Sequence, residues 1–254
     1  MRRNMWKSDP NWFEHWFNSE EYHVLYRHRS HEEADGFIRN LTEDSILGEE
    51  QQILDIGCGA GRHAAAMATA GHHVTGVDLS ANSILSAKQS HGMTSDSLRF
   101  VEGDMRSIDA QFSSESFDIV TMMFTSFGYF DTEEEHLQTL RAIRTVLKPM
   151  GTFILDFLNL EKVRAELIQH ESIVREGIEF VIHRRLTDDW IEKSIEFTDS
   201  SGARQHYTER VRAFSPQKLQ SMLRTCGFGI DATFGNYDLI SLGKNSPRCI
   251  IVAR

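Results

Sequence analysis

Ile53-Leu54-Asp55-Ile56-Gly57-Cys58-Gly59-Ala60-Gly61-Arg62-His63 is the stretch whose reading decides the fold. Ile53 to Ile56 form a short apolar run behind the polar pair Gln51-Gln52, as a buried strand would. Gly57, Gly59 and Gly61 follow at once, and the alanine-rich run from Ala64 to Ala70 reads as a helix. A strand, a glycine turn and a helix start aim backbone N–H groups at a ligand at close range, where a Cβ would collide. Those amides and the helix dipole favour a carboxylate or phosphate.

Downstream the same alternation continues. His73 to Val77 reads as a second strand ending at Asp78, 23 residues beyond Asp55. An acidic residue at that place can accept hydrogen bonds from two ribose hydroxyls. Asp78-Leu79-Ser80 then opens a helix through Ile84, Leu85 and Lys88, with Ser80 as N-cap. Leu98 to Glu102 is a third strand, followed by Gly103-Asp104-Met105. Ser116 to Met123 is a fourth, followed by an aromatic loop from Phe124 to Phe130. Glu133 to Lys148 has helical periodicity at Leu137, Leu140, Ile143 and Leu147, ended by Lys148-Pro149 and Gly151. Thr152 to Phe157 is a fifth strand. Strands alternating with helices predict an α/β domain with a parallel sheet. A dinucleotide G-x-G-x-x-G fingerprint does not fit, because its third glycine would fall on Arg62.

The motifs around Asp55-Ile56-Gly57-Cys58-Gly59-Ala60-Gly61, Val77-Asp78-Leu79-Ser80, Gly103-Asp104-Met105, Phe117-Asp118-Ile119-Val120 and Leu147-Lys148-Pro149-Met150-Gly151 stand in one order and spacing. In that set the chain resembles the class I S-adenosylmethionine (SAM) methyltransferases, closely over residues 50 to 158 and more loosely beyond. The resemblance implies a Rossmann-like seven-stranded sheet of order 3-2-1-4-5-7-6, strand 7 antiparallel, flanked by helices. It also implies SAM as cofactor and S-adenosylhomocysteine (SAH) as product. Asp55 would face the methionine amino group, and Gly57, Cys58, Gly59, Gly61, Arg62 and His63 would surround the methionine moiety. Asp78 and Leu79 would take the ribose, Gly103, Asp104 and Met105 the adenine, and Met123 and Phe124 the sulfonium side. Arg29 or Arg27 would pair with the methionine carboxylate.

The flanks depart from the minimal fold. Three of the four tryptophans, Trp6, Trp12 and Trp16, fall in the first 30 residues together with Phe13, Phe17, Tyr22 and Tyr26. Residues 1–30 therefore read as a helical segment docked as a lid, with Asp9-Pro10 as a helix start and Ser30 with Glu33 as a capping box. Residues 172–213 alternate polar with apolar over short runs, with Asp188-Asp189 and Ser200-Ser201-Gly202 as turns. They predict three antiparallel strands inserted between the two parts of the SAM domain, 31–171 and 214–254, as a cover over the acceptor. Ser215-Pro216 starts a further helix closed by Gly227, and Phe228 to Tyr237 and Arg248 to Ala253 are the last two strands.

Composition limits the function. The chain has 254 residues and a formal charge of −10, which argues against a nucleic-acid substrate. Three scattered cysteines suggest no disulfide framework and no metal site, so a reducing, cytoplasmic setting is expected. No apolar run is long enough to span a membrane. The predicted reaction is in-line transfer of a methyl group to an N, O or C nucleophile of a small molecule. Alternatives are an RNA or protein methyltransferase of this fold and a non-catalytic SAM-binding protein. Such transfer needs proximity and water exclusion more than acid–base groups, since the leaving group is a neutral thioether. Tyr129 and His183 are candidates for proton transfer, and Tyr22, Tyr26, Phe127, Tyr129 and Tyr237 for substrate contact. The exposed strand edges of the insertion could also pair two copies into a homodimer.

Overall fold

The computed structural model describes residue 6 and residues 12–26, 30–92 and 96–254. Arg27 and Arg29 lie outside these residues, as does Asp9-Pro10. Three helices lead: α1 (Trp12–Trp16), α2 (Glu20–Tyr26) and α3 (His31–Glu43). The alternating region follows as β1 (Gln52–Ile56), α4 (Arg62–Thr69), β2 (His73–Asp78), α5 (Ala81–His91), β3 (Leu98–Glu102), α6 (Ile108–Gln111), β4 (Phe117–Met122), α7 (Glu133–Val146) and β5 (Leu147–Leu158). After α8 (Leu160–Glu166) come β6 (His170–Arg175), β7 (Ile178–Leu186), β8 (Trp190–Thr198) and β9 (Arg204–Arg212). The chain closes with α9 (Pro216–Thr225), β10 (Ile230–Phe234) and β11 (Arg248–Ala253).

The main sheet has seven strands in the order β10-β11-β5-β4-β1-β2-β3. β11 runs antiparallel to both neighbours and β1 to β5 run parallel. This is the expected Rossmann-like order. Alternate residues of each strand feed two cores, as a sheet buried on both faces requires. Leu54, Ile56, Val120, Leu155 and Ile251 pack with Leu140 and Ile143 of α7 and Leu219 and Leu223 of α9. Ile53, Ile119, Ile154 and Ile250 pack with Phe37 and Leu41 of α3 and Met67 of α4 on the other face. The Ser80, Thr132 and Ser215 side chains cap the helices they precede. Ser30 also accepts from the Glu33 N–H, but the Glu33 carboxylate turns to Arg62 at 2.9 Å, so that half of the predicted capping box is spent on an ion pair. The α7 helix stops at Val146, and Lys148-Pro149 already lies in β5.

The insertion is a separate sheet of four strands, β6-β7-β8-β9, where three were expected. Glu176 and Gly177 supply the missed turn: both have positive φ, 49° and 83°, as a two-residue hairpin needs. The inward face of this sheet and the N-terminal helices share one core. Trp12, Phe13, Trp16 and Leu25 bury against Phe180, Ile182, Ile195 and Phe197. The two flanking segments thus form one cap, built on the insertion. It is tied to the main domain where the Ser80 hydroxyl donates to the Phe17 carbonyl and Asn18 Oδ1, each at 3.1 Å.

Candidate active site

A cavity of about 630 Å³ opens between the carboxyl ends of β1, β2 and β4 and the inward face of the cap. This is the range of small-ligand sites, and the carboxyl edge of a doubly wound sheet is where they form. Three strand ends build its floor. After β1 the chain turns through Gly57, whose N–H donates to the Val77 carbonyl at 2.7 Å. Gly57 has φ +68°, and a Cβ there would sit 2.6 Å from Ser126 Cβ. Gly59 has φ +56°, and a Cβ there would meet nothing within 4 Å, so it would project into space that a ligand can use. Gly61 differs: it is absent from the cavity wall, and a Cβ would lie 2.5 Å from Phe100 Cζ. The third glycine therefore serves helix–strand packing and does not line the ligand space.

Asp55 and Asp78 carry the charge of the floor. Asp55 is 1% exposed and accepts a hydrogen bond from Thr121 Oγ1 at 2.7 Å. Burial pushes its carboxyl up to about 7; the Thr121 hydrogen bond pulls the other way and the charge of Asp78 adds to the rise. Asp78 accepts from the N–H groups of Gly59 at 2.8 Å and Ser80 at 2.9 Å, which orient both oxygens. Burial raises its carboxyl too, against those two amide bonds. Cys58 also lines the cavity, and burial raises its thiol well above the usual range, which keeps it neutral. Arg62 reaches out of α4 to the Ser30 carbonyl at 2.7 Å and to Glu33 at 2.9 Å, stitching α3 to the glycine turn.

The adenine-side acid is less open than expected. Asp104 lines the cavity beside Gly103 and Met105, but Arg106 holds its carboxylate through Nη2 at 2.6 Å and Nε at 3.1 Å. Burial would raise this carboxyl; the Arg106 hydrogen bonds and charge outweigh it and hold it below its usual range. After β4, Phe124 and Thr125 both adopt left-handed backbone, φ 55° and 65°. Asp156 fixes that turn: Oδ2 accepts the Phe124 N–H at 2.8 Å and the Tyr237 hydroxyl at 2.7 Å, while Oδ1 accepts Arg248 Nε at 2.7 Å. Arg248 also donates to Thr125 Oγ1 at 2.9 Å. Strained residues of this kind persist only where their surroundings over-determine them.

The cap supplies the roof. Tyr22, Tyr26 and Tyr129 line it with Trp12 and Phe17, whose rings meet Tyr129 edge-on at 5.7 and 5.4 Å. The Tyr129 hydroxyl donates to the Thr125 carbonyl at 2.6 Å, so its proton serves the floor turn. From the insertion come Arg184, Ile191, Lys193, Glu209, Arg210 and Val211. Glu209 accepts from Trp16 Nε1 at 2.6 Å and from the Tyr26 hydroxyl at 2.6 Å, and Lys193 donates to that same hydroxyl. One carboxylate of β9 thus anchors both N-terminal helices.

Three sequence candidates fall elsewhere. His183 points to the outer face of β7 and packs against the tilted ring of His170, centroids 4.6 Å apart; its neighbour Arg184 takes the cavity side. Phe127 is fully buried against His136 and Phe214 in the main core. Tyr237 stacks on Phe37 at 4.4 Å and spends its hydroxyl on Asp156. Conversely, Arg106, Arg184, Lys193, Glu209 and Arg248 were not singled out from sequence. Strand alternation puts Lys193 and Glu209 on the face of Ile195 and Tyr207, a signal that was available once the core face was assigned.

Residues 53–151 match the family model of a methyltransferase domain. A provisionally named methyltransferase of Bacillus subtilis (strain 168) is 28% identical over 83% of this chain and 87% of its own length. A glycine/sarcosine N-methyltransferase of Aphanothece halophytica is 26% identical over 84% of this chain and 78% of its own. Among solved structures, the CcbJ methyltransferase from Streptomyces caelestis superposes with a TM-score of 0.77 at 17% identity, covering 94% of this chain and 97% of the other. At that identity the likeness speaks for the fold.

Proposed function

We propose that this chain, a member of the class I SAM-dependent methyltransferase family, moves the methyl group of SAM to a nucleophile of a small molecule held under the cap. The observation that carries the reading is the pairing of a buried carboxylate, Asp55, and a half-buried one, Asp78, with a left-handed glycine turn on one cavity floor. Neither Asp55 nor Asp78 makes a salt bridge with a described residue, and the space beside Gly59 is open. Such a floor suits a ligand with an ammonium group, a ribose and a positive centre. SAM, when bound, supplies an electrophilic methyl on a sulfonium whose departure as a thioether needs no acid.

The chain's own residues then do five things. Asp55 accepts the ammonium, and the Gly57–His63 turn surrounds the amino-acid end. Asp78, oriented by two backbone amides, accepts two ribose hydroxyls. Met105 offers a backbone N–H to the base, while Asp104 shares its carboxylate with Arg106. The Met123–Phe124 turn, clamped by Asp156 and Arg248, sets the wall against which donor and acceptor align. The cap excludes water, with the aromatic rings around Tyr129 forming the acceptor side. The chain resembles a glycine/sarcosine N-methyltransferase over most of its length, which favours a small acceptor over RNA or protein.

A screen with methyl-labelled SAM against a metabolite extract, total RNA and a protein extract tests the reading. Label should pass to the low-molecular-weight fraction alone. Label appearing in RNA or protein would contradict it.

A further inference from the structure

The cavity is lined by charges at both ends. On the floor Asp55 and Asp78 make no salt bridge with a described residue, whereas Asp104 is held by Arg106 and the lining cations Arg62 and Arg248 are paired with Glu33 and Asp156. Under the cap Arg184 and Lys193 of the insertion face the cavity, with Glu209 as the opposing carboxylate. Arg184 and Lys193 are direct cross-strand partners in the β7–β8 register, so their side chains leave the sheet side by side on the same face. Like charges placed opposite one another destabilise a sheet, and water screens them less inside a cavity than at the surface. Their protein counter-ions stand to the sides: Glu171 at 2.7 Å from Arg184 and Glu209 at 3.6 Å from Lys193.

Two kinds of acceptor could use this end, and the hydrogen bonds decide between them. A cationic amine would need Glu209. Both oxygens of Glu209 already accept the Tyr26 hydroxyl, at 2.6 and 2.8 Å, and one also takes Trp16 Nε1 at 2.6 Å. An amine would have to share that carboxylate with Tyr26, Trp16 and Lys193, the groups that hold the cap together. An anion needs no acceptor there; it adds to Arg184 and Lys193, whose guanidinium and ammonium groups each carry several N–H donors.

We propose that the cap end of the cavity is an anion subsite, where Arg184 and Lys193 fix a carboxylate or phosphate carried by the methyl acceptor. This rests on the cavity being the SAM and acceptor site. The acceptor is then a small acid or phosphate ester, bound with its anion against β7 and β8 and its nucleophile toward the Met123–Phe124 turn. The aromatic rings beside Tyr129 take its apolar body.

Calorimetry on the full chain saturated with SAH tests this, with benzoate, phenyl phosphate, benzamide and benzylamine as probes of one ring and different charge. Benzoate or phenyl phosphate should bind at least tenfold more tightly than benzamide and benzylamine, and which of the two wins separates carboxylate from phosphate recognition. Raising the salt should erode the preference. Arg184→Gln and Lys193→Gln should each abolish it while SAH affinity stays within error. If one variant fails to fold, the other and the salt dependence of the wild type still decide. Benzamide or benzylamine binding as tightly as the anions, or no anion binding at millimolar concentration, would overturn the proposal. Failure of SAH itself to bind would overturn the cofactor reading and this one with it.

Discussion

Replacing Asp55 by Asn should stabilise the ligand-free protein and ruin its affinity for SAH. Burial lifts the Asp55 carboxyl from 3.8 to about 7. An acid whose folded pKa is raised destabilises the fold in its ionised form. The penalty is full above pH 7 and vanishes as pH falls below the unfolded value. A shift of about three pH units at 1.36 kcal/mol each amounts to about 4 kcal/mol at pH 8. For a chain of this size that is roughly 8 °C in melting temperature. Asn keeps an oxygen for the Thr121 hydroxyl and drops the charge, so apo Asp55→Asn should melt about 8 °C above wild type at pH 8, with the gap more than halved by pH 5. Wild-type affinity for SAH should weaken about tenfold from pH 8 to pH 6, because the ammonium needs the ionised carboxylate and the proton competes. The variant should lose roughly 2–3 kcal/mol of SAH binding, from a buried charge-assisted hydrogen bond. Scanning calorimetry and titration calorimetry across pH read both halves. An apo variant that melts at or below wild type at pH 8, or an SAH affinity flat between pH 6 and 8, would refute the reasoning.

Asp78→Ala should weaken SAH binding by roughly 1–3 kcal/mol, and an unchanged dissociation constant in a folded variant would remove Asp78 from the site. Arg248→Met leaves Asp156 buried without its cation and should cost about 3–5 kcal/mol of stability by denaturant unfolding; the double change with Asp156→Asn should recover part of that. Deleting residues 1 to 28 should leave the main sheet folded but speed SAH release in stopped-flow chase, because the Phe17–Asn18 tie to Ser80 is lost. Release at the wild-type rate would reduce the N-terminal helices to packing.

The first three strands of the main sheet were legible because each is short, mostly apolar and punctuated by a glycine or acid at its carboxyl end, Gly57, Asp78 and Gly103-Asp104. Strand order came through the resemblance carried by those motifs. The insertion was legible as antiparallel, but the Glu176-Gly177 turn was hidden inside one continuous alternating run. Period-two alternation tells which residues share a face; it does not tell which face looks into a cavity. His183 and Arg184 are adjacent, and the choice between them depends on where the aromatic core of Trp16 and Phe197 settles. Phe127 and Tyr237 sat in loops beside the site and carried rings of the right kind. Packing against Phe214 and Phe37 took them out of it. Glu209 and Lys193 escaped notice because charged residues in strands ordinarily face water, and only the docking of α1 and α2 turns their face inward.

Titration calorimetry of the purified full chain with SAM, and separately with a nicotinamide dinucleotide, tests the central claim most directly. SAM should bind at one site per chain with a micromolar dissociation constant, weakened in the Asp55→Asn and Asp78→Ala variants, and the dinucleotide should give no heat. Dinucleotide binding that those variants abolish, with no SAM binding at millimolar concentration, would contradict it.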